Sequence, residues 1–291
     1  MYNIFSKNQS FKTLLNISAG IIPLVCSGIL LALVLNSFNA FSEFGFFNFL
    51  SSKEWNQSPN NESYGALPFI SGTLLTTALA LLLCIPLSLS VALFNGEYYK
   101  GKTISNVLNT IVDLLAGIPS VIYGLWGFYV LRPVVMSLGL SSQGSGILVA
   151  SVVLAIMIVP YAASLSAEFI KLVPKEYKES AYSMGATRFE VIRYVIFPMA
   201  SSGIFSSFIL AMGRALGETM TVTMLIGNTN QMPQSLLDTG NTLASIVANQ
   251  FGEADGLKLS SLFALALLLF IITAITNLIG KIIIKKKSIS K

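Results

Sequence analysis

Residues 69–94 read F-I-S-G-T-L-L-T-T-A-L-A-L-L-L-C-I-P-L-S-L-S-V-A-L-F, and none of them is charged. Crossing the hydrocarbon core of a bilayer takes about 20 mostly apolar helical residues. A run this long, whose polar side chains are only Ser and Thr, predicts a transmembrane helix. Five more runs of the same kind lie near 16–38, 109–131, 145–165, 198–226 and 259–283. Of 291 residues, 54% are hydrophobic and 11% charged, against roughly 25% charged in a soluble domain. Composition and pattern therefore agree on an all-α, polytopic membrane protein with six transmembrane helices. The first run is read as an uncleaved span, because its apolar stretch is too long for a signal peptide and no clean small-x-small site follows it.

The basic residues assign an orientation. Lys7 and Lys12, Lys100 and Lys102, Lys171, Lys175, Lys178, Arg188 and Arg193, and Lys281, Lys285, Lys286, Lys287 and Lys291 fall on one side of the six runs. Lys53, Arg132 and Lys258 fall on the other. The positive-inside rule then puts both termini in the cytoplasm, and the net charge of +5 reflects topology rather than nucleic-acid binding. The Lys-rich C-terminal end is read as a stop-transfer anchor in preference to a lipid-binding patch. The chain has no histidine, which excludes imidazole bases, His-bearing zinc sites and Ser-His-Asp chemistry. Cys26 and Cys84 lie in apolar runs and read as small buried hydrophobes.

Directly after the opening run comes G-E-Y-Y-K-G-K-T (96–103). It fits the phosphate-cradling pattern G-x-x-x-x-G-K-[ST] at Gly96, Gly101, Lys102 and Thr103. A working phosphate loop follows a strand and opens a helix within a full α/β domain. Here it follows a membrane run, and no segment between runs is long enough to bury an independent core. The loop is expected to be a polar, positive turn at the membrane face, so any ATP that drives this protein is hydrolysed by another chain.

Prolines recur inside the runs, at Pro23, Pro86, Pro119 and Pro160. Each frees a carbonyl that protein or cavity water must satisfy. Ordinary kinks explain any one of them as well as transporter-type breaks do. The densest break is Gly117-Ile118-Pro119-Ser120, followed by Tyr123, Gly124, Trp126 and Gly127.

The longest segment on the basic side is 166–197. Pro174 suits a first helical turn, P-K-E-Y-K-E-S-A-Y-S-M follows as helix, and Gly185 supplies a left-handed stop. Thr187-Arg188-Phe189-Glu190 is a capping-box pattern that starts a second helix toward Pro198. Tyr177, Ala181 and Met184 fall on one helical face by spacing. Such a face fits a groove on a partner or lies in the lipid headgroups; the physics leaves both open.

The segment also carries a signature. Glu179-Ser180-Ala181, three residues, Gly185, nine residues, then Val195-Ile196-Phe197-Pro198 resembles the E-A-A-x-x-x-G-x9-I-x-L-P loop of ATP-binding-cassette (ABC) importer permeases. Ser180 replaces an Ala, and Val195 and Phe197 are conservative replacements. Y-G-A-L-P-F-I-S-G-T-L (64–74), L-L-A-G-I-P-S-V-I-Y-G-L-W-G (114–127) and G-R-A-L-G-E-T-M-T-V-T-M (213–224) are similar to phosphate-importer permeases, the PstC type more than the PstA type. Trp55 and Asn56 favour the same choice. The resemblance implies a type I ABC permease fold. It divides the chain into 1–68 (cytoplasmic tail, first transmembrane helix and external loop), 69–280 (a core of five transmembrane helices with coupling loop 166–197) and 281–291 (basic cytoplasmic tail). It implies ATPase coupling through Glu179, Ala181 and Gly185. It implies as partners a second, PstA-like permease, two copies of a PstB-like ATP-binding subunit, and a PstS-like phosphate-binding protein landing on the external loops near 39–68 and 228–258. Those loops carry Trp55, Asp238, Glu253 and Asp255. The implied location is the bacterial plasma (inner) membrane. No cofactor, metal or catalytic role is expected of this chain.

Arg214 and Glu218 lie deep in the fifth run. Near a bilayer centre each charge costs roughly 2.5–3.5 kcal/mol on insertion scales. At i,i+4 on one helix the two are expected to pair, either as a neutralised couple or as an anion relay in which phosphate competes with Glu218 for the guanidinium. Thr221, seven residues on, is expected on the same face, completing a substrate pathway of Arg214, Glu218 and Thr221. Gly213 and Gly217 would permit close approach of another backbone. Other cargoes (sulfate, molybdate, phosphonate) have similar charge chemistry, and a self-sufficient channel or ion-coupled carrier is the rival outside the ABC class.

Overall fold

The structure, a computed structural model, describes residues 9–58 and 61–289, with side chains from 12 to 58 and 61 to 285. Lys7 and Lys291 of the two basic tails lie outside the described residues, as do the side chains of Lys286 and Lys287. In chain order the elements are α1 (Gln9–Phe44), α2 (Phe46–Ser51), β1 (Trp55–Asn56), β2 (Ser63–Tyr64) and α3 (Leu67–Leu93). Then come α4 (Thr103–Gly117), α5 (Ser120–Trp126), α6 (Arg132–Ser137), α7 (Ile147–Lys171), α8 (Lys175–Ser183) and α9 (Arg188–Val191). The chain continues with α10 (Phe197–Leu216), α11 (Met220–Leu225), α12 (Leu243–Gln250) and α13 (Gly256–Ile289). Among the described residues six helical runs are long and apolar enough to cross a membrane: Lys12–Phe44, Leu67–Tyr98, Ser120–Ser137, Ile147–Lys171, Arg188–Leu216 and Gly256–Lys285.

The central span is α7, packed between α3 and α10. Van der Waals packing has to hold membrane helices together, because lipid tails are as apolar as leucine. The sequence supplies it with small residues. Thr73, Thr76, Thr77, Ala80, Cys84 and Ser88 form the buried stripe of α3, and Ala150, Ala155, Ala162, Ala163 and Ala167 are buried on α7. Three of the four hydroxyls of the α3 stripe are satisfied within the helix: Thr73, Thr76 and Ser88 each donate to the carbonyl one turn back at 2.7 Å, while Thr77 Oγ1 is buried without a partner among the described residues. The expectation for Cys84 holds, whereas Cys26 is exposed on α1. Helix α1 lies mainly along α13. At the end away from the basic loops, Trp55 and Tyr64 close a small hairpin, β1 antiparallel to β2, over Phe69.

Two runs differ from their sequence boundaries. The run at 109–131 is two helices, not one span. Ile118 is extended (ψ 128°), as the residue before a proline tends to be, so α4 stops at Gly117 and the span begins at Ser120. The run at 198–226 starts earlier, at Arg188, and stops at Leu216. Pro198 does not interrupt it, because the preceding turn, Ile192–Ile196, is widened so that Phe197 N–H bonds Ile192 O. The break falls instead at Gly217–Thr219, before α11. Pro23, Pro86 and Pro160 stay inside unbroken helices; among these four prolines, the break is at Pro119.

Candidate functional site

The two broken spans meet, α5 lying against α11, and the break at Pro119 is cross-braced. Interrupting a membrane helix strands carbonyls that cannot turn to water. Tyr123 Oη donates to Leu115 O at 2.8 Å and Tyr161 Oη to Ala116 O at 2.6 Å. On the far side of the proline, Thr221 Oγ1 donates to Ser120 O at 2.8 Å. Three side chains thus fix the geometry of one discontinuity. Tyr161→Phe should leave the Ala116 carbonyl short of a partner and destabilise the protein by about 1–3 kcal/mol, seen as an earlier thermal transition in detergent; an unshifted transition would show that the brace carries no load.

The arrangement corrects the expected charge pair. Because α10 ends at Leu216, Arg214 and Glu218 no longer share a helix, and the i,i+4 geometry is lost. The two ion pairs among the described residues are Lys171–Glu168 and Lys178–Glu97. Glu218 instead caps the next helix, its Oε1 accepting from Thr221 N–H at 3.1 Å. The Arg214 guanidinium lies over the Tyr161 ring, 4.2 Å from its centroid, and the residue is exposed. Among the described residues, no carboxylate or carbonyl engages it. Thr221 is fully buried with its hydroxyl committed to Ser120, so it braces the break and does not share a face with Arg214. Gly213 and Gly217 meet no foreign backbone; both line a cleft of about 450 Å³ that Leu243, Val247 and Phe270 also border. Of the three residues expected to line a pathway, Arg214 is the one that offers free hydrogen-bond donors among the described residues.

At the basic end, α8 and α9 form a compact elbow. Gly185 has φ +84°, and the turn is a complete Schellman motif: Ala186 N–H bonds Ala181 O at 3.1 Å and Gly185 N–H bonds Tyr182 O at 2.9 Å. Thr187 and Glu190 form the expected capping box at the start of α9. The three residues expected to couple to an ATPase divide. Glu179 and Gly185 are exposed, while Ala181 is 8% exposed and packs into a cluster with Ile170, Val173 and Val191. The spacing of Tyr177, Ala181 and Met184 therefore does not make one outward face. Tyr177 and Met184 are 57% and 84% exposed, and with Tyr182 they form the outward surface, whereas Ala181 anchors the helix.

The loop at 96–103 has no phosphate-cradle geometry. It begins in a second widened turn, Phe94–Tyr98, with no strand before it. A Cβ on Gly96 would lie 2.8 Å from the Ile170 side chain and 3.1 Å from Ala167 O, so this glycine is there to let α3 close on α7. Gly96→Ala is expected to cost about 1–3 kcal/mol of stability, measurable as reduced detergent half-life; a wild-type half-life would refute the packing argument. Lys102 lies over the Tyr99 ring, 5.3 Å from its centroid. The residue that the sequence did not single out here is Glu97. It receives Lys178 Nζ at 2.5 Å, a contact across 81 residues that no local pattern signals. Tyr161 was also missed: the sequence offers no sign that a tyrosine in α7 meets Arg214.

At the opposite end, Trp55 is half-buried against Tyr64 and Phe69, and Asp238 Oδ2 caps a turn by accepting from Gln234 and Ser235 N–H. Glu253 and Asp255 are exposed.

Residues 84–289 match a protein-family model described as a binding-protein-dependent transport system inner membrane component. The chain is 37% identical to the phosphate transport system permease protein PstC of Haemophilus influenzae, over 97% of this chain and 94% of that one. It is 41% identical to the protein of the same name from Mesorhizobium japonicum, over 88% and 84%. Among solved structures, a chain of a bacterial ABC transporter involved in the import of the acidic polysaccharide alginate superposes with TM-score 0.65 at 17% identity, covering 96% of this chain and 98% of that chain. A chain of the MetNI methionine ABC transporter in an inward-facing conformation superposes with TM-score 0.59 at 18% identity, covering 75% and 93%. These likenesses establish a shared fold.

Proposed function

The chain belongs to the family of binding-protein-dependent transport system inner membrane components, and from that premise we propose that it is a PstC-type permease subunit of an ABC importer of inorganic phosphate. It is a multi-pass membrane protein. In the proposed assembly it sits in a bacterial inner membrane with both termini cytoplasmic. It pairs with a PstA-like permease, and the substrate pathway runs between the two. Two PstB-like subunits beneath hydrolyse ATP and press on the α8–α9 elbow. A PstS-like protein delivers phosphate to the opposite end. The chain itself makes and breaks no covalent bonds.

The observation that carries the cargo assignment is Arg214. A guanidinium in the last turn of a membrane helix, exposed and with no acceptor bonded to it among the described residues, presents the planar fork that phosphate oxygens match. An aromatic ring holds it in place without competing for its donors. A pathway site must release what it binds, and a single cation under a ring is a shallower trap than a cluster of basic residues.

The test is reconstitution of the four-component assembly in liposomes with binding protein outside. Labelled phosphate should enter only when ATP is present on the coupling side, and sulfate or molybdate in large excess should leave the rate unchanged. Phosphate flux through the purified chain alone, without ATP, would overturn the proposal in favour of a self-sufficient carrier. Equal uptake of another oxyanion would overturn the cargo assignment.

A further inference from the structure

We propose that Glu97 and Lys178 form a latch through which movement of the coupling elbow reaches the transmembrane core. The inference rests on the function proposed above and names the contact that transmits the ATPase's work. Lys178 lies on α8 and Glu97 in the widened turn that ends the second span, 81 residues apart in sequence. Their side chains are 10% and 11% exposed, although the elbow that carries Lys178 is otherwise largely exposed.

A second cation from the elbow reinforces the contact. Arg188, the first residue of α9, donates from Nη2 to Glu97 O at 3.3 Å and Tyr98 O at 3.1 Å. Its guanidinium lies over the Tyr98 ring, 4.0 Å from the centroid. These carbonyls belong to the last turn of the helical run, where backbone acceptors are left over and the helix dipole favours positive charge. Lys178 and Arg188, from either side of the Gly185 bend, thus both grip the end of the second span.

That end is a junction. Gly96 touches α7 through Ile170 and Ala167. Lys100 Nζ donates to Lys171 O at 3.2 Å. Asn95 donates to Asn109 Oδ1 at 2.7 Å, and Ser105 Oγ donates to Asn95 Oδ1 at 3.2 Å, which ties in α4. A displacement of α8 is therefore passed to α3, α4 and α7 together, and α4 leads directly to the Pro119 break. Removing one partner of a poorly solvated ion pair leaves the other charge uncompensated, the expensive case for such pairs. Glu97 and Lys178 are positioning residues in this scheme and touch no substrate.

The experiment measures phosphate moved per ATP hydrolysed in the reconstituted wild-type assembly and in Glu97→Gln, Lys178→Met and the charge-reversed double variant Glu97→Lys/Lys178→Glu. The latch predicts that each single variant keeps its ATPase subunits and hydrolyses ATP, while phosphate moved per ATP falls about tenfold. The double variant should recover to within about threefold of wild type. A merely structural pair would lower the amount of assembled complex and leave the ratio untouched, which would overturn the latch. Single variants with the wild-type ratio, or a double variant no better than the singles, overturn it too. Failure of the wild-type assembly to import phosphate with ATP is a separate result: it removes the function proposed above, and the latch falls with it.

Discussion

Arg214→Gln is expected to abolish ATP-driven phosphate uptake while the four-component assembly forms normally. Glutamine keeps a polar side chain but loses the charge and the two-pronged fork. Two hydrogen bonds from a charged donor contribute about 1.5–3 kcal/mol each, so their loss should slow uptake by at least about a hundredfold. The cost to the fold is much smaller. Arg214 makes no hydrogen bond or ion pair among the described residues, and its contact with the Tyr161 face is worth about 0.5–1 kcal/mol at an exposed position. Function and stability should therefore separate cleanly. Arg214→Lys retains the charge without the planar fork and should fall between the two. Initial rates of labelled uptake, normalised to assembled complex, decide the matter; a wild-type rate in Arg214→Gln removes this residue from the pathway.

Gly185→Val should release the ATPase subunits. At φ +84° a β-branched residue is a true outlier, and holding it there costs about 1–3 kcal/mol. The elbow's least costly response is to open the Schellman turn, which moves the exposed Tyr182 and Met184 away from the α8 axis. ATPase subunits recovered with the purified permease should drop at least about tenfold, as a distortion of about 1.4 kcal/mol or more at the contact implies. Gly185→Asn separates two causes, because asparagine tolerates the left-handed region. Among the described residues, nothing lies within 4 Å of a Cβ placed at Gly185. If Gly185→Asn binds the ATPase normally, backbone conformation is what matters. If it fails as Gly185→Val does, the partner itself needs the missing side chain. Normal recovery of ATPase by Gly185→Val would show that the bend is not part of the contact.

Hydrophobic pattern was enough to identify the spans at 69–94 and 145–165, because apolar length is a property of the segment alone. The signals at Gly185 and at Thr187–Glu190 were legible for the same reason: a left-handed stop and a capping box are each settled within a few residues. The failures are those of non-local geometry. Nothing in G-R-A-L-G-E-T-M announces that its helix ends at Leu216, since glycine is tolerated in membrane helices, and so the spacing of Arg214 and Glu218 mimicked a pair. Spacing on α8 likewise put Ala181 outward with Tyr177 and Met184, whereas the cluster around Ile170 and Val191 draws it in. The match at 96–103 was rightly set aside as chemistry, since a membrane run and not a strand precedes it, yet it marks a consequential place. Its glycine serves packing and its unremarked glutamate holds the elbow.

Three spans contain a widened turn, closed by the bonds Tyr99 N–H to Phe94 O, Arg132 N–H to Gly127 O and Phe197 N–H to Ile192 O. Each such turn stores one residue more than regular α-helix would use over the same hydrogen-bonded loop. Expelling that residue would rotate everything beyond it by about 100° and shift it about 1.5 Å along the axis. In the fifth span this would swing Arg214, less than six turns downstream, to a different side of its helix without breaking a covalent bond. One such turn stands ahead of Arg214, and another carries Glu97.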